Sequence, residues 1–254
     1  AAVSQQMSEK EVLWLPLAAF DEHRLVIDQL VAAGILRISE NRLTFGFQHQ
    51  TLFNHARARA VFQGGIDLYE YVVARQNALF VRPTLWSMLG YLREASRSDY
   101  TSQMAKLYSG WLRLHIRHLL LDFLGRLQDP DDHEETWMAV WLQDADFRSR
   151  AIHSISTSQG WFARFKDSLL SDLLQHPEGV EWQMVTLLSN SINHSPEDTI
   201  ALLEEYWLRQ PTKDPYTIRI LDECTSWSDS TVAIVCRMVA RSVVHEVSVM
   251  SVAS

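Results

Sequence analysis

The sequence predicts a mainly α-helical protein, with a winged-helix-like N-terminal domain followed by a HEAT-like array of helical repeats. Three observations carry this expectation. Only 9 Gly and 7 Pro interrupt 254 residues that are 47% hydrophobic, which favours helices on short loops around a sizeable core. The stretch LTFGFQHQTLFNHARARAVF, residues 43–62, alternates like a half-buried strand and then takes on helical spacing. From position 111 the chain runs helix, short Asp/Pro turn, helix, with a period of roughly 40 residues, as in a solenoid. The expected division is 1–63 for the winged-helix-like domain, 64–110 for a helical linker region and 111–254 for the repeats.

Taken in order, residues 9–33 read as two helical stretches broken near Pro16. The second, DEHRLVIDQLVAAG, sets Leu25, Ile27, Leu30 and Val31 on or near one face, with Asp21 as its cap and Gly34 as its stop. ILRISENRLTFGFQ then gives two alternating runs around Ser39-Glu40-Asn41, the pattern of a hairpin, so strand is expected mainly within 35–48. Helix, helix, hairpin is the outline of a winged helix. After Gly64-Gly65, helices are predicted at 66–79, 83–96, 99–126 (broken near Gly110), 132–142, 145–156, 159–175, 179–192, 196–209, 215–225 and 229–247. Asp129-Pro130, Ser195-Pro196 and Asp214-Pro215 each put a capping side chain before a first-turn proline. Ser195 with Asp198 resembles a capping box.

Composition narrows the classes of function. The net charge is −8, which disfavours broad nucleic-acid binding, since that affinity comes mainly from neutralising phosphates. The charge is uneven. Residues 1–62 hold six basic and six acidic residues, residues 82–126 seven and three, and residues 127–254 nine and twenty. No apolar run nears the ~20 residues that span a bilayer, and AAVSQQMSEK lacks the pattern of a secretory signal. Cys224 and Cys236, twelve apart in an apolar stretch, read as buried thiols rather than a disulfide, which fits a reducing cytoplasm. The absence of an initiator Met reads as a piece of a longer protein or as processing.

No GxxxxGK[ST], GxGxxG, GxSxG, HExxH or paired-Cys pattern occurs, so no catalytic residues are assigned. His115, His118 and Asp122 have spacing that could face a metal, but Arg113 and Arg117 stand among them and would repel a cation. No metal is therefore expected. Asp129, Asp131, Asp132 and His133-Glu134-Glu135 suit a helix N-terminus better than a cation site. Arg93/Arg97 and Arg113/Arg117 form two i,i+4 basic pairs, able to meet phosphate or an acidic partner, or else only a solvated face. In SQGWFARF, Trp161 becomes an interaction residue if exposed and a packing residue if not.

His49, at the change from strand to helix, is a cap or packing residue on spacing alone. Its surroundings, FGFQHQTLFNHARARA, resemble the F-x-F-x-H stretch that closes the winged-helix domain of STAND NTPases, the NACHT and NB-ARC relatives. Phe45, Phe47, His49, Leu52 or Phe53, and Ala56/Ala58 fill the expected places, while Asn54 and His55 replace an acidic and an aromatic residue. LVIDQLVAAGILRI looks like the same family's winged-helix core, and LFVRPTLWSMLGYLRE looks more loosely like its linker into the helical C-terminal part. The match covers about residues 20–62.

That resemblance implies an ATPase core upstream, a winged helix whose histidine reaches the phosphates of bound ADP, and a repeat-built arm that senses a protein partner. Many bacterial members act in defence against phage. On this expectation the chain is non-catalytic and cytoplasmic, contains no cofactor of its own, and works in signal transduction through ADP or ATP held by the full-length protein. Leu52, Phe53 and Ala56 should be buried, leaving His49 partly accessible. Two readings compete: a DNA-binding winged-helix regulator with a helical domain, weakened by the neutral charge of residues 1–62, and a HEAT-like protein–protein interaction scaffold with no link to a nucleotide.

Overall fold

The computed structural model describes residues 2–240 apart from 11, 64, 78–80, 209, 226–227, 230–231, 234 and 238–239. Helix makes up 71% of the described residues, and three short strands form one sheet. The chain divides into two compact units, Ala1–Leu119 and Leu120–Ser254. The sequence pattern instead changes character at 63 and 110.

The first unit opens with α1 (Ala2–Glu9), strand β1 (Leu15–Pro16), a 3-10 segment at Leu17–His23 and α2 (Arg24–Ala32). Strands β2 (Leu36–Ile38) and β3 (Thr44–Phe47) follow. The hairpin forms in the register Leu36↔Phe47, Arg37↔Gly46, Ile38↔Phe45. Its turn is closed by Ser39, whose hydroxyl accepts the Thr44 N–H, and by Asn41, whose side chain accepts the Leu43 N–H. β1 joins the free edge of β3, giving the order β1-β3-β2.

That edge corrects the expectation of a helix before Pro16. Proline has no N–H to give a ladder and is tolerated on an edge strand, and the next residue, Leu17, donates to Leu43 O at 2.8 Å. Asp21 does not cap α2 with its side chain: its backbone carbonyl takes the Arg24 N–H, because the 3-10 segment runs straight into the helix. Gly34 does end α2. Its φ is +71°, the left-handed turn that suits glycine, and the Gly34 and Ile35 N–H groups return to Val31 and Leu30.

The core of this part joins Met7, Leu15, Leu17, Phe20, Ile27, Leu36, Phe45 and Phe53. Phe20 meets Phe45 edge-on at 5.3 Å. Helix α3 (Gln50–Gln63) packs on α1 and on α5 (Val81–Ala95), with α4 (Leu68–Arg75) and α6 (Arg97–Ser109) completing the unit. Helix α7 (Leu114–Gly125) contains the boundary between the units.

The second unit holds α8 (Asp132–Gln143), α9 (Arg148–Ile155), α10 (Gln159–Phe165), α11 (Leu169–Gln175), α12 (Glu181–Ser191), α13 (Pro196–Leu202) and α14 (Asp214–Asp222). α9 packs on α12 and α12 on α14, while α11 packs on a π-helical turn, Leu203–Trp207, that continues α13. The run 159–175 is thus two helices, and 196–209 changes winding. The helix predicted at 229–247 lies largely outside the described residues.

The caps differ in detail from the sequence reading. Asp131, not Asp129, caps α8, in a reciprocal box with the buried Glu134. Ser195 forms no side-chain cap bond, and Asp198 turns away to Lys166 at 2.7 Å. Lys213, not Asp214, stands at the start of α14 because a 3-10 turn precedes it.

Candidate functional site

The change of period at His49 is a physical joint. β3 ends at Phe47 and α3 begins at Gln50. His49 is exposed, and its carbonyl accepts the Phe53 N–H at 3.3 Å as α3 starts. Its ring makes no hydrogen bond or ion pair with another described residue. The joint is held from both sides: Gln48 N–H donates to Ile35 O at 2.9 Å, and Phe53 is buried against Phe47 at 5.6 Å.

Leu52, expected to help bury the helix, is instead 36% exposed. One residue of helix is about 100° of rotation, so with Phe53 and Arg57 turned inward, Leu52 faces solvent. Ala58 is fully buried and Ala56 partly so.

Beside His49 lies a cavity of about 200 Å³ lined by Met7, Leu13, Arg37, Phe47, Gln48, Gln50 and Phe53. Gln48 and Gln50 flank His49 in the chain. Arg37 reaches the site from β2, where the alternation that buries Leu36 turns it outward, and its guanidinium lies 4.7 Å over the Trp14 ring. Among the described residues no acidic side chain lines the cavity. The opposite strand position is Gly46, where a Cβ would stand 2.5 Å from Leu13 O, so only glycine lets the backbone at Leu13 approach β3. Arg37, Gln48 and Gln50 line this space together with the apolar Met7, Leu13, Phe47 and Phe53, and His49 itself is not among the lining residues. A guanidinium and two amides are groups that can bind an anion. Arg37 was not legible as part of this site, because it enters only through the cross-strand register.

The other candidates scatter. Arg93 lies in the last turn of α5 and Arg97 begins α6, with Ser96 breaking the helix between them, so they share no helical face. Arg97 lies 5.3 Å over the Tyr100 ring. Arg113 precedes α7, and its carbonyl accepts the Ile116 and Arg117 N–H groups. His115 Nε2 lies 2.9 Å from Gln76 O, while Asp122 is bound by Arg150. No group of three His, Cys, Asp or Glu able to hold a metal occurs among the described residues. Asp132 and Glu135 hold Arg164 and raise its pKa, Glu135 contributing most. Cys224 is buried and Cys236 exposed, both free thiols, so only Cys224 matches the expected buried state.

Trp161 is fully buried, stacked on Phe165 at 5.2 Å, with its indole bonded inside the unit. It is a packing residue and offers no exposed platform. Trp161, Phe162 and Phe165 at i, i+1 and i+4 share an inward face, which was the available signal. Among the described residues of this unit, the large aromatic side chain most exposed is Trp182, 60% accessible on α12, edge-on to Tyr216 at 5.4 Å and beneath Arg219 at 6.0 Å. It sits between polar neighbours, Glu181 and Gln183, and the sequence reading passed over it.

Among the described residues no helix is long and apolar enough to cross a membrane. No family, curated protein or solved structure matches the chain.

Proposed function

We propose that the chain is the winged-helix and helical-repeat part of a bacterial STAND-type signalling NTPase, a non-catalytic element that couples partner recognition to the nucleotide state of an ATPase core elsewhere in the protein. The observation that carries the reading is His49, exposed at the β3–α3 joint beside an acid-free space shared by Arg37, Gln48 and Gln50. A phosphate group there would accept from the Arg37 guanidinium and the Gln48 and Gln50 amides, and on this reading the exposed His49 imidazole joins them. The nucleotide would be ADP or ATP, bound by the full-length protein.

The architecture gives further support. Helix, strand, helical turn, helix, strand, strand with sheet order β1-β3-β2 is compatible with the winged-helix reading. The short, successively packed helices of the second unit suit a HEAT-like arm, and a switch of this kind requires an element with two packings. Trp182 with Tyr216 and Arg219 is the arm's best protein-binding surface, since Trp, Tyr and Arg dominate interface hot spots. The DNA-binding alternative gains little from α2: its Arg24 is paired with Asp28, and it exposes Leu25 and Val26 instead of spare cations.

The test is His49→Ala in the full-length protein. Losing a charge-assisted hydrogen bond worth roughly 1.5–3 kcal/mol would weaken ADP retention about ten- to a hundredfold and raise basal signalling. Unchanged ADP retention, or a parent protein with no nucleotide-binding core, would reject the reading.

A further inference from the structure

A large, mainly apolar cavity of the first unit is walled by α2 and α3, with Val3 and Ser4 of α1 also lining it. It measures about 630 Å³, within the range of roughly 300–1,000 Å³ typical of small-ligand sites. Its wall is Val26, Ile27 and Leu30 from α2, Phe47 from β3, and Ala56 and Ala60 from α3. Ala56 and Ala60, one turn apart, open the space by the smallness of their side chains.

The cavity is polarised. Ile35 follows α2 through Gly34, Phe47 precedes α3, and Gln48 N–H donates to Ile35 O at 2.9 Å. The C-terminus of α2 and the N-terminus of α3 therefore meet at one apolar end, with Leu30, Ile35 and Phe47. His23 starts α2, and Arg59 lies nine residues into α3, so both stand toward the other end. His55 lies between, with Tyr91 at its outer edge, 5.4 Å away. Arg59 and His23 are exposed and have no hydrogen bond or ion pair with another described residue. Among the described residues no Asp or Glu lines the cavity.

A groove whose walls are mainly apolar and whose lining includes the exposed Arg59 matches one kind of ligand. We infer that this groove binds a long-chain carboxylate, with the acyl chain along Val26, Leu30, Ala56 and Phe47 and the carboxylate on Arg59. The inference is independent of the phosphate reading at His49, which concerns the other side of Phe47.

Titration of the chain with cis-parinaric acid, a fluorescent eighteen-carbon carboxylate, tests it. Saturable binding of one molecule per chain, displaced by palmitate, is expected. The methyl ester, which lacks the charge, should bind at least ~10-fold more weakly, and Arg59→Gln should remove the same factor for the acid while leaving the ester unaffected. Arg59 is exposed, so this variant retains the fold. Ala60→Phe, with its helical circular dichroism unchanged, should abolish binding by filling the floor. Non-saturable uptake, equal affinity for acid and ester, insensitivity to Arg59→Gln, or partition only onto anionic phospholipid vesicles would each overturn the proposal.

Discussion

Trp161 donates its indole N–H to the backbone carbonyl of Leu124 at 2.8 Å. The same device recurs at Trp207, which donates to Leu174 O at 3.0 Å. Both acceptors are the penultimate residues of their helices, α7 and α11, where a carbonyl has no partner within the helix. The helix ends LLLDFLG (119–125) and LLSDLLQ (169–175) also match in their Leu, Asp and Leu positions. The repeat is thus one helix end closed by a tryptophan from a later helix, used twice.

Trp207→Phe should cost about 1–3 kcal/mol, because the Leu174 carbonyl loses its donor while most of the packing remains, and Trp161→Phe only about 1 kcal/mol, because the Leu124 carbonyl keeps the Leu127 N–H. The alanine variants should cost about 3–5 kcal/mol by leaving cavities. Urea unfolding measures both. Phenylalanine variants indistinguishable from the parent would mean that the indole bonds are incidental.

The hairpin was legible because Leu43, Phe45 and Phe47 alternate and because Ser39 and Asn41 are turn formers whose side chains close this turn. β1 was not. It is two residues long and exists only through pairing with β3, a contact that no local pattern encodes, so Pro16 read as a helix breaker. The break between α10 and α11 and the π turn before Trp207 follow from packing as well: the wide turn, with Leu208 N–H returning to Leu203 O, carries the chain onto Trp207 and its bond to Leu174. Of the candidate site, His49 was visible from the change of period, whereas Arg37 depended on register. Trp182 was hidden because an exposed aromatic between polar neighbours leaves no periodic trace.

Gly46 is the residue whose replacement should most distort the sheet. An added Cβ would stand 2.5 Å from Leu13 O and 3.4 Å from the Trp14 ring, and the nearest atom is backbone, which cannot swing aside. Gly46→Ala should destabilise the first unit by more than about 2 kcal/mol. Gly90→Ala, which meets nothing within 4 Å inside α5, should stabilise it by up to ~1 kcal/mol. Thermal unfolding of the two variants should shift in opposite directions; equal shifts would contradict the assigned packing.

Asp67 gives a pH signature. It caps α4 by accepting the Tyr69 and Glu70 N–H groups and pairs with Lys106. The Lys106 hydrogen bond, chiefly, holds its carboxyl below the ordinary 3.8, with burial opposing and the two backbone N–H groups adding to the shift. A carboxyl with a depressed folded-state pKa stabilises the fold above its unfolded value, and that stability is lost as pH falls through the folded value. The Asp67 contribution should therefore be complete at neutral pH and disappear below about pH 4. Since Lys106 is half exposed, the ion pair itself contributes no more than about 1 kcal/mol. Asp67→Asn should lower stability at pH 7 and converge with the parent near pH 2. A constant difference across that range would remove the ion pair from the explanation.

The joint at His49 separates function from packing within five residues. Phe53 is 5% exposed and lies in the core with Phe45 and Leu36, so Phe53→Ala should cost about 3–5 kcal/mol. His49 is exposed and its backbone, not its ring, accepts the bond that starts α3. His49→Ala should leave the unfolding free energy of this chain within about 0.5 kcal/mol of the parent. Chemical denaturation of the two variants reads both numbers directly. A histidine that can be removed without loss of stability, at a joint held by its neighbours, is free to serve a ligand. If His49→Ala instead cost as much as Phe53→Ala, the ring would be part of the packing and the anion reading of this joint would lose its main support.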